Sequence, residues 1–303
     1  MTVQHTAEII DGNAIAAKIR GGLKARVDKL VAAAGWRPTL AVIRVGEDPA
    51  SIVYVGRKVR ACEEAGIDSR QYVFPADVSQ EEVIATVREL SAAPDVHGIL
   101  VQLPLPKHIA LAPVLGAISV EKDVDGFHLY NVGGLVIGDT VFPPCTPHGV
   151  MLLLDAAGVE ISGKNAVVVG ASNIVGKPMA LMLMQREATV SICHIKTRDL
   201  AQYTILADIL ILAAGSPKLV VGPMVKRGAV VVDVGINRMP DGKLVGDCDF
   251  ETVKERASLL TPVPGGVGPM TVTMLLANTV KSAERHFQRE KGQAERIGEP
   301  EPV

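Results

Sequence analysis

Hydrophobic positions in the first third of the chain follow two alternating periods. Ile15, Ile19, Leu23, Val27 and Leu30 recur three or four apart after Asp11 and Asn13, which predicts an amphipathic helix. Thr39 to Val45 is instead a short, largely apolar run closed by Gly46-Glu-Asp-Pro49, the pattern of a buried strand. A helix over Ser51 to Ala65, ended by Gly66, and a strand over Gln71 to Phe74 come next. Ser79 and Glu82 form a capping box ahead of Val83, Val87 and Leu90, and Gly98 to Val101 is a third strand. Strands alternating with helices predict a parallel α/β sheet.

The rhythm breaks at Lys122-Asp-Val-Asp125-Gly126 and at a predicted glycine-rich loop with Gly133, Gly134 and Gly138. Pro143-Pro144-Cys145-Thr146-Pro147 marks a boundary, with Thr146 as the predicted N-cap of a helix from Pro147 to Ala157. Five more short apolar runs follow: Ala166 to Val169, Thr189 to Cys193, Ile209 to Ala213, Ala229 to Val234 and Ser258 to Leu260. They predict a second parallel α/β domain. The chain then crosses Thr261-Pro-Val-Pro-Gly-Gly-Val-Gly-Pro-Met270 and ends in a helix over Thr271 to Arg289, predicted to return to the first domain. The expected fold class is therefore α/β with two domains, residues 1–146 plus about 271–290 and residues 147–270, and a mobile polar tail over 291–303.

Composition narrows the partners. A net charge of -2 and 3% aromatic residues argue against nucleic acid or an anionic membrane, so a small-molecule ligand is expected. No apolar run is long enough to span a bilayer, and Met1 to Ile10 carries no signal or transit pattern. Cys62, Cys145, Cys193 and Cys248 are widely spaced with no C-x-x-C pair, which fits a reducing cytoplasm and no zinc site. No metal-ligand cluster is visible.

Candidate chemistry centres on a few segments. Asn165 to Pro178 reads as a strand, a glycine turn and a helix start, leaving backbone N–H groups to face a pyrophosphate. Gly170 and Gly176 are six apart, and the middle glycine of G-x-G-x-x-G is missing; many α/β domains make such a turn with no ligand. Tyr54 and Lys58 share a helix face, where a partly desolvated lysine has its pKa lowered and shuttles protons; an exposed lysine meets the same spacing. Gln102 follows the third strand, at the sheet end where ligands bind, although a capping glutamine also fits. Asp123 and Asp125 flank Val124 and point apart, so one ligand-binding and one structural aspartate are expected. Pro262 to Pro269 holds three glycines and three prolines, a stiff loop that a flat ligand approaches closely. His194, Lys196 and Arg198 stand where an NAD site usually places an acid, which tips the balance toward NADP over a merely solvated basic loop.

Taken in order, Tyr54-x-x-x-Lys58, Val101-Gln-Leu-Pro-Leu, Lys122-Asp-Val-Asp-Gly126, Pro144-Cys-Thr-Pro147, Gly170-Ala-Ser-Asn-Ile-Val-Gly176 and Pro262-Val-Pro-Gly-Gly-Val-Gly-Pro-Met-Thr271 are far more specific than any one alone. They resemble the bifunctional methylenetetrahydrofolate dehydrogenase/methenyltetrahydrofolate cyclohydrolase family, the FolD proteins of bacteria, over nearly the whole chain. The resemblance implies an interdomain cleft holding folate, beside a Rossmann-type NAD(P)-binding second domain. It implies hydride transfer from 5,10-methylenetetrahydrofolate to NADP, then hydrolysis of the methenyl product to 10-formyltetrahydrofolate.

By position, the resemblance makes Lys58 the acid–base group, tuned by Gln102, with Tyr54 stacking on folate and Asp125 holding the pterin. Ser51, Leu103, Cys145, Pro264, Gly265, Gly268 and Thr271 would complete the folate side. Thr146, Gly170, Ala171, Ser172, Ile174, Gly176, His194, Ile195, Lys196, Ala214, Gly215, Val234, Ile236 and again Thr271 would line the cofactor. Many members have Arg where this chain has Ala171, and some carry a basic residue at Ile195. The 2′-phosphate would then depend on His194, Lys196 or Lys177; NADP is expected, with NAD as the alternative. The family also suggests a homodimer through the cofactor domains and no metal. Intact Tyr54, Lys58, Gln102 and Asp125 argue against a catalytically silent nucleotide-binding protein, and intact Lys58 and Gln102 against loss of cyclohydrolase activity.

Overall fold

The computed structural model describes residues 6–298 and divides into two compact units. One holds the described residues up to Lys18 with Gly133–Met274; the other holds Ile19–Val132 with the described residues from Leu275 onward. The chain runs through β1 (Glu8–Ile9), α1 (Gly12–Ala34), β2 (Thr39–Val45), α2 (Pro49–Ala65), β3 (Asp68–Phe74), α3 (Gln80–Ala92), β4 (Gly98–Val101), α4 (Leu111–Gly116) and α5 (Leu129–Ile137). Next come α6 (Cys145–Ala156), β5 (Asn165–Val169), α7 (Gly176–Gln185), β6 (Thr189–Cys193), α8 (Ala201–Thr204), β7 (Ile209–Leu212) and β8 (Val230–Asp233). A hairpin of β9 (Asn237–Arg238) and β10 (Leu244–Val245) precedes α9 (Phe250–Lys254), β11 (Leu259–Leu260) and α10 (Val267–Gly298).

In the unit that holds α2, three parallel strands lie in the order β3-β2-β4. Central β2 is buried along almost its whole length, as its apolar run requires of a strand covered on both faces. Its Ala41, Ile43 and Val45 pack with Ile99 and Val101 of β4 and with Val83, Val87 and Leu90 of α3. Each such aliphatic side chain stabilises the fold by roughly 1.5–3 kcal/mol relative to exposure. The Ser79 hydroxyl starts α3 by accepting from the Glu82 N–H at 3.2 Å.

The other unit carries a six-stranded parallel sheet in the order β1-β11-β8-β7-β5-β6. The chain leaves β5 for β6 on one side and returns to β7 on the other, so the strand order reverses at β5. The crevice at the carboxyl ends of such a pair is where open α/β sheets bind ligands.

Four local features depart from the sequence reading. β1 is a strand that no pattern predicts, pairing Glu8 with Leu259 and Ile9 with Leu260. The predicted loop at Gly133 and Gly134 is helical, within α5; a Cβ on Gly134 would stand 2.4 Å from the Asp139 carbonyl oxygen. That glycine serves close approach, not flexibility. α6 begins at Cys145 with Pro144 at the cap, so Thr146 lies in the first turn. α10 begins at Val267, which Pro269 tolerates because a first-turn N–H has no helical partner. It continues to Gly298, through most of the predicted tail; residues 299–303 lie outside the described residues. Among the described residues no helix is long and apolar enough to cross a membrane.

Candidate active site

α2 starts where Asp48 accepts from the Ser51 N–H at 2.7 Å and Pro49 supplies a preset first-turn φ. From that fixed start, Ser51, Tyr54 and Lys58 fall on one helical stripe. Ser51 and Lys58 are 5% and 6% exposed, and Tyr54 is half-buried. The Lys58 ammonium donates to Gln102 Oε1 at 3.0 Å and stands 5.4 Å from the centre of the Tyr54 ring. Gln102 is itself held: its N–H donates to the Ile43 carbonyl at 2.8 Å and its Nε2 to the Leu103 carbonyl at 2.7 Å. The amide oxygen therefore points at the lysine by construction, and the juxtaposition lies at the carboxyl ends of β2 and β4. The Ser51 hydroxyl lies 3.5 Å from the same Leu103 carbonyl, bringing Ser51, Tyr54, Lys58, Gln102 and Leu103 together.

Asp123 and Asp125 divide as their spacing suggests. Asp123 is 1% exposed and accepts from the Phe127 and His128 N–H groups and from Asn131 Nδ2, which fixes the approach to α5. Asp125 is half-buried, and its charge acts on Tyr54. Burial holds the Tyr54 phenol above its ordinary range, Arg57 opposes this and Asp125 adds to it, so Tyr54 stays a neutral ring. One turn beyond Lys58, burial pushes the Cys62 thiol up to about 12, which makes it an inert packing group.

In the six-stranded unit the carboxyl end of β5 turns on Gly170, at φ 122°; a Cβ there would lie 2.1 Å from the Ala213 carbonyl oxygen. A Cβ on Gly176 would lie 1.9 Å from the Gly170 carbonyl oxygen. Both glycines are required by close backbone approach. Where the usual fingerprint has its middle glycine, Ser172 accepts from the Val175 and Gly176 N–H groups at 3.1 and 3.3 Å. The serine thus shapes the turn and occupies part of the helix N-terminus. Ala171 and Ile174 are half-buried beside it.

The remaining positions that the sequence predicts for the cofactor are strand ends of this same sheet. His194, Ile195 and Lys196 follow β6; Ala214 and Gly215 follow β7; Val234 and Ile236 follow β8. Ile195 is 98% exposed and Ile236 49%. His194 is exposed, and its Nδ1 accepts from the Lys196 N–H at 3.2 Å. Lys177 is engaged by Asn173 Oδ1 at 2.7 Å. Beyond β11, Gly265 has φ 106° and its carbonyl accepts from the Asn13 N–H at 3.1 Å, while a Cβ on Gly12 would lie 1.8 Å from the Gly266 carbonyl oxygen. Pro264 is exposed just before it, and Gly268 lies in the first turn of α10. Thr146 and Thr271 share a hydroxyl hydrogen bond of 3.0 Å, next to fully buried Cys145.

Sequence patterns missed two buried acids in this unit, Asp233 and Asp247, which hold the loops after β7 and β8. An aspartate ending the otherwise apolar Val230–Asp233 strand, and the Gly246-Asp-Cys-Asp249 segment, were the available signals.

This geometry agrees with known proteins over most of the chain. Residues 10–125 match the catalytic domain, and residues 144–287 the NAD(P)-binding domain, of tetrahydrofolate dehydrogenase/cyclohydrolase. The bifunctional protein FolD of Aromatoleum aromaticum is 61% identical over 95% of this chain and 100% of its own length. The crystal structure of the bifunctional FolD enzyme of Campylobacter jejuni superposes with a TM-score of 0.90 at 54% identity, covering 92% of this chain and 99% of that one. The Trypanosoma brucei dehydrogenase-cyclohydrolase, solved with NADP and an inhibitor, gives 0.91 at 40% identity over 93% and 99%. With both domain types matched in order and a relative this similar along its full length, the chain belongs to the tetrahydrofolate dehydrogenase/cyclohydrolase family.

Proposed function

We propose that the protein catalyses two consecutive steps: NADP-dependent oxidation of 5,10-methylenetetrahydrofolate to the 5,10-methenyl form, and hydrolysis of that cation to 10-formyltetrahydrofolate. The observation that carries the reading is the buried Lys58 ammonium donating to the neutral, backbone-anchored Gln102 amide. A lysine hydrogen-bonded to a neutral amide can give up and regain a proton while that contact persists.

In hydrolysis, water adds to the methenyl carbon and its released proton goes to the Lys58 amine. The carbinol then collapses: its O–H proton leaves, the C–N5 bond breaks and N5 gains a proton, with Lys58 as the relay. Gln102 keeps the amine aimed throughout. Tyr54, held as a neutral ring, offers its face to the substrate, and half-buried Asp125 offers a carboxylate to a ring N–H. In the oxidation, the nitrogens flanking the reacting carbon spread its developing charge, so the protein's task is positioning.

NADP supplies the hydride acceptor. The six-stranded unit fits a dinucleotide on its own geometry: at the strand-order switch, Gly170 and Gly176 hold the turn so tightly that a Cβ on either would collide with backbone. His194 and Lys196 would hold the 2′-phosphate, and Lys177, already bonded to Asn173, is the weaker candidate. The residues proposed for each role are those named by position above. The folate side is assigned to residues 1–146 with about 271–290, and the cofactor side to 147–270.

The same proposal includes a homodimer through the cofactor-binding unit. β6 is the outer strand of its sheet, and Ile192 on it and Met184 on α7 are 44% and 56% exposed, an edge open to a second copy. Light scattering at the dimer mass supports this, and a monomer contradicts it. A cytoplasmic location fits the four buried free thiols. The functional reading is tested by giving purified protein methylenetetrahydrofolate with NADP and, separately, NAD. Reduction of NADP with appearance of the formyl product is expected; no reduction of either cofactor overturns it.

A further inference from the structure

Asp233 and Asp247 take no part in the chemistry above, yet they accept three and four N–H hydrogen bonds. They are 1% and 0% exposed. Asp233, the last residue of β8, accepts from the Gly235 and Asp247 N–H groups at 2.9 Å and the Cys248 N–H at 2.8 Å. Asp247, just after β10, accepts from the N–H groups of Ala214 (2.6 Å), Gly215 (3.0 Å) and Ser216 (2.9 Å), and from Asn237 Nδ2 (2.8 Å). The Asp233 N–H in turn donates to Thr261 Oγ1 at 2.8 Å.

All these carboxylate partners are N–H donors. A buried anion of this kind is stabilised by dipoles, each bond being charge-assisted and directional. Space has been cleared for both groups: a Cβ on Gly235 would stand 2.2 Å from Asp247 Oδ1, and one on Gly246 2.1 Å from Asp233 Oδ2. The donors belong to the segments after β7 and β8 and, for Asp247 and Cys248, to the segment after β10, while Thr261 lies after β11. β7, β8 and β11 are neighbours in the sheet.

We infer that Asp247, anchored by Asp233, is a positioning residue for the nicotinamide cofactor: it fixes the loops of Ala214–Gly215 and Val234–Ile236 relative to one another. The inference rests on the proposed cofactor role of those loops. It assigns Asp247 no contact with cofactor or substrate. Because hydrolysis of the methenyl compound consumes no nicotinamide, that activity reports on the rest of the protein in the same sample.

The test is Asp247→Asn, assayed for both reactions with a melting curve. Asparagine keeps the shape but turns an N–H₂ toward donors that need an acceptor. A KM for NADP raised by about tenfold or more is expected, with methenyl hydrolysis within about twofold of wild type. Unchanged NADP KM in the folded variant, or equal loss of both activities, overturns the inference. Should Asp247→Asn fail to fold, Asn237→Ala removes only one bond to the carboxylate. It is expected to raise the NADP KM about threefold with hydrolysis unchanged, and no change in KM overturns the inference. A wild-type protein that reduces neither NADP nor NAD would fail the functional reading itself, a distinct outcome.

Discussion

Each unit buries ionic groups at the carboxyl ends of parallel strands, and the two sets are built in opposite ways. Lys58 faces a neutral amide and an aromatic ring. Asp233 and Asp247 are wrapped in N–H donors, mostly of the backbone. A charge enclosed by fixed N–H dipoles holds the loops that supply them, so it acts as a clamp. A charge hydrogen-bonded to a neutral amide keeps that contact in either protonation state, which suits acid–base chemistry. The partner therefore tells a structural buried ion from a reactive one better than burial does.

The largest expected break in this comparison comes from Lys58→Met, which fills the same space without a titratable group. Methenyl hydrolysis should fall by on the order of a hundredfold to ten-thousandfold, with folate still bound and stability at or above wild type. Stopped-flow loss of the methenyl chromophore and folate titration check this. Next, Gly176→Ala puts a Cβ 1.9 Å from a backbone oxygen. It should lower stability by roughly 1–3 kcal/mol and weaken NADP binding, read by denaturant melts and cofactor titration. Retained NADP affinity would mean that the turn is not the cofactor's cradle.

A third case lies in the unit that holds Lys58. His97 is 4% exposed, stacks on Trp36 at 4.5 Å and accepts from the Thr39 N–H through Nδ1. Burial, with His286, Lys122 and Arg70, holds its pKa down at about 4 against 6.5, while Asp95 opposes this. The folded form therefore binds fewer protons than the unfolded chain. Its contribution is complete above pH 6.5 and is lost as pH falls toward 4, by roughly 3 kcal/mol in all. Urea midpoints of His97→Asn, compared with wild type across that window, should show a flatter acid slope. Smallest is Arg26→Ala, which removes the two-point contact with Glu284 at 3.0 and 2.7 Å between partly exposed groups. It should cost about 0.5 kcal/mol and vanish in high salt, marking the surface end of the scale.

Much of this was legible in the sequence because it is local. The apolar runs of β2, β4, β5 and β6, the α3 cap and the Gly170–Gly176 turn each announce themselves within a few residues. Lys58 and Tyr54 were placed by helical spacing, and Gln102 by its position after a strand. What escaped is set by distant neighbours. β1 exists because Glu8 and Ile9 find β11 some 250 residues later. Position 134 must be glycine because Asp139 folds back on it. The donors around Asp247 come from the ends of two other strands, which no window along the chain brings together. The helix over 291–298 shows the reverse failure: polar composition alone does not end a helix that propagation extends.

The central claim, that the neutral Gln102 amide suits Lys58 to the proposed acid–base role, is tested most directly by the pH profile of methenyl hydrolysis in Gln102→Glu. A carboxylate there stabilises the ammonium, so the free amine should form only at higher pH. The account predicts that the rising limb of the rate shifts to higher pH, with a lower rate near neutrality and partial recovery under alkaline conditions. A profile superimposable on that of wild type would contradict it.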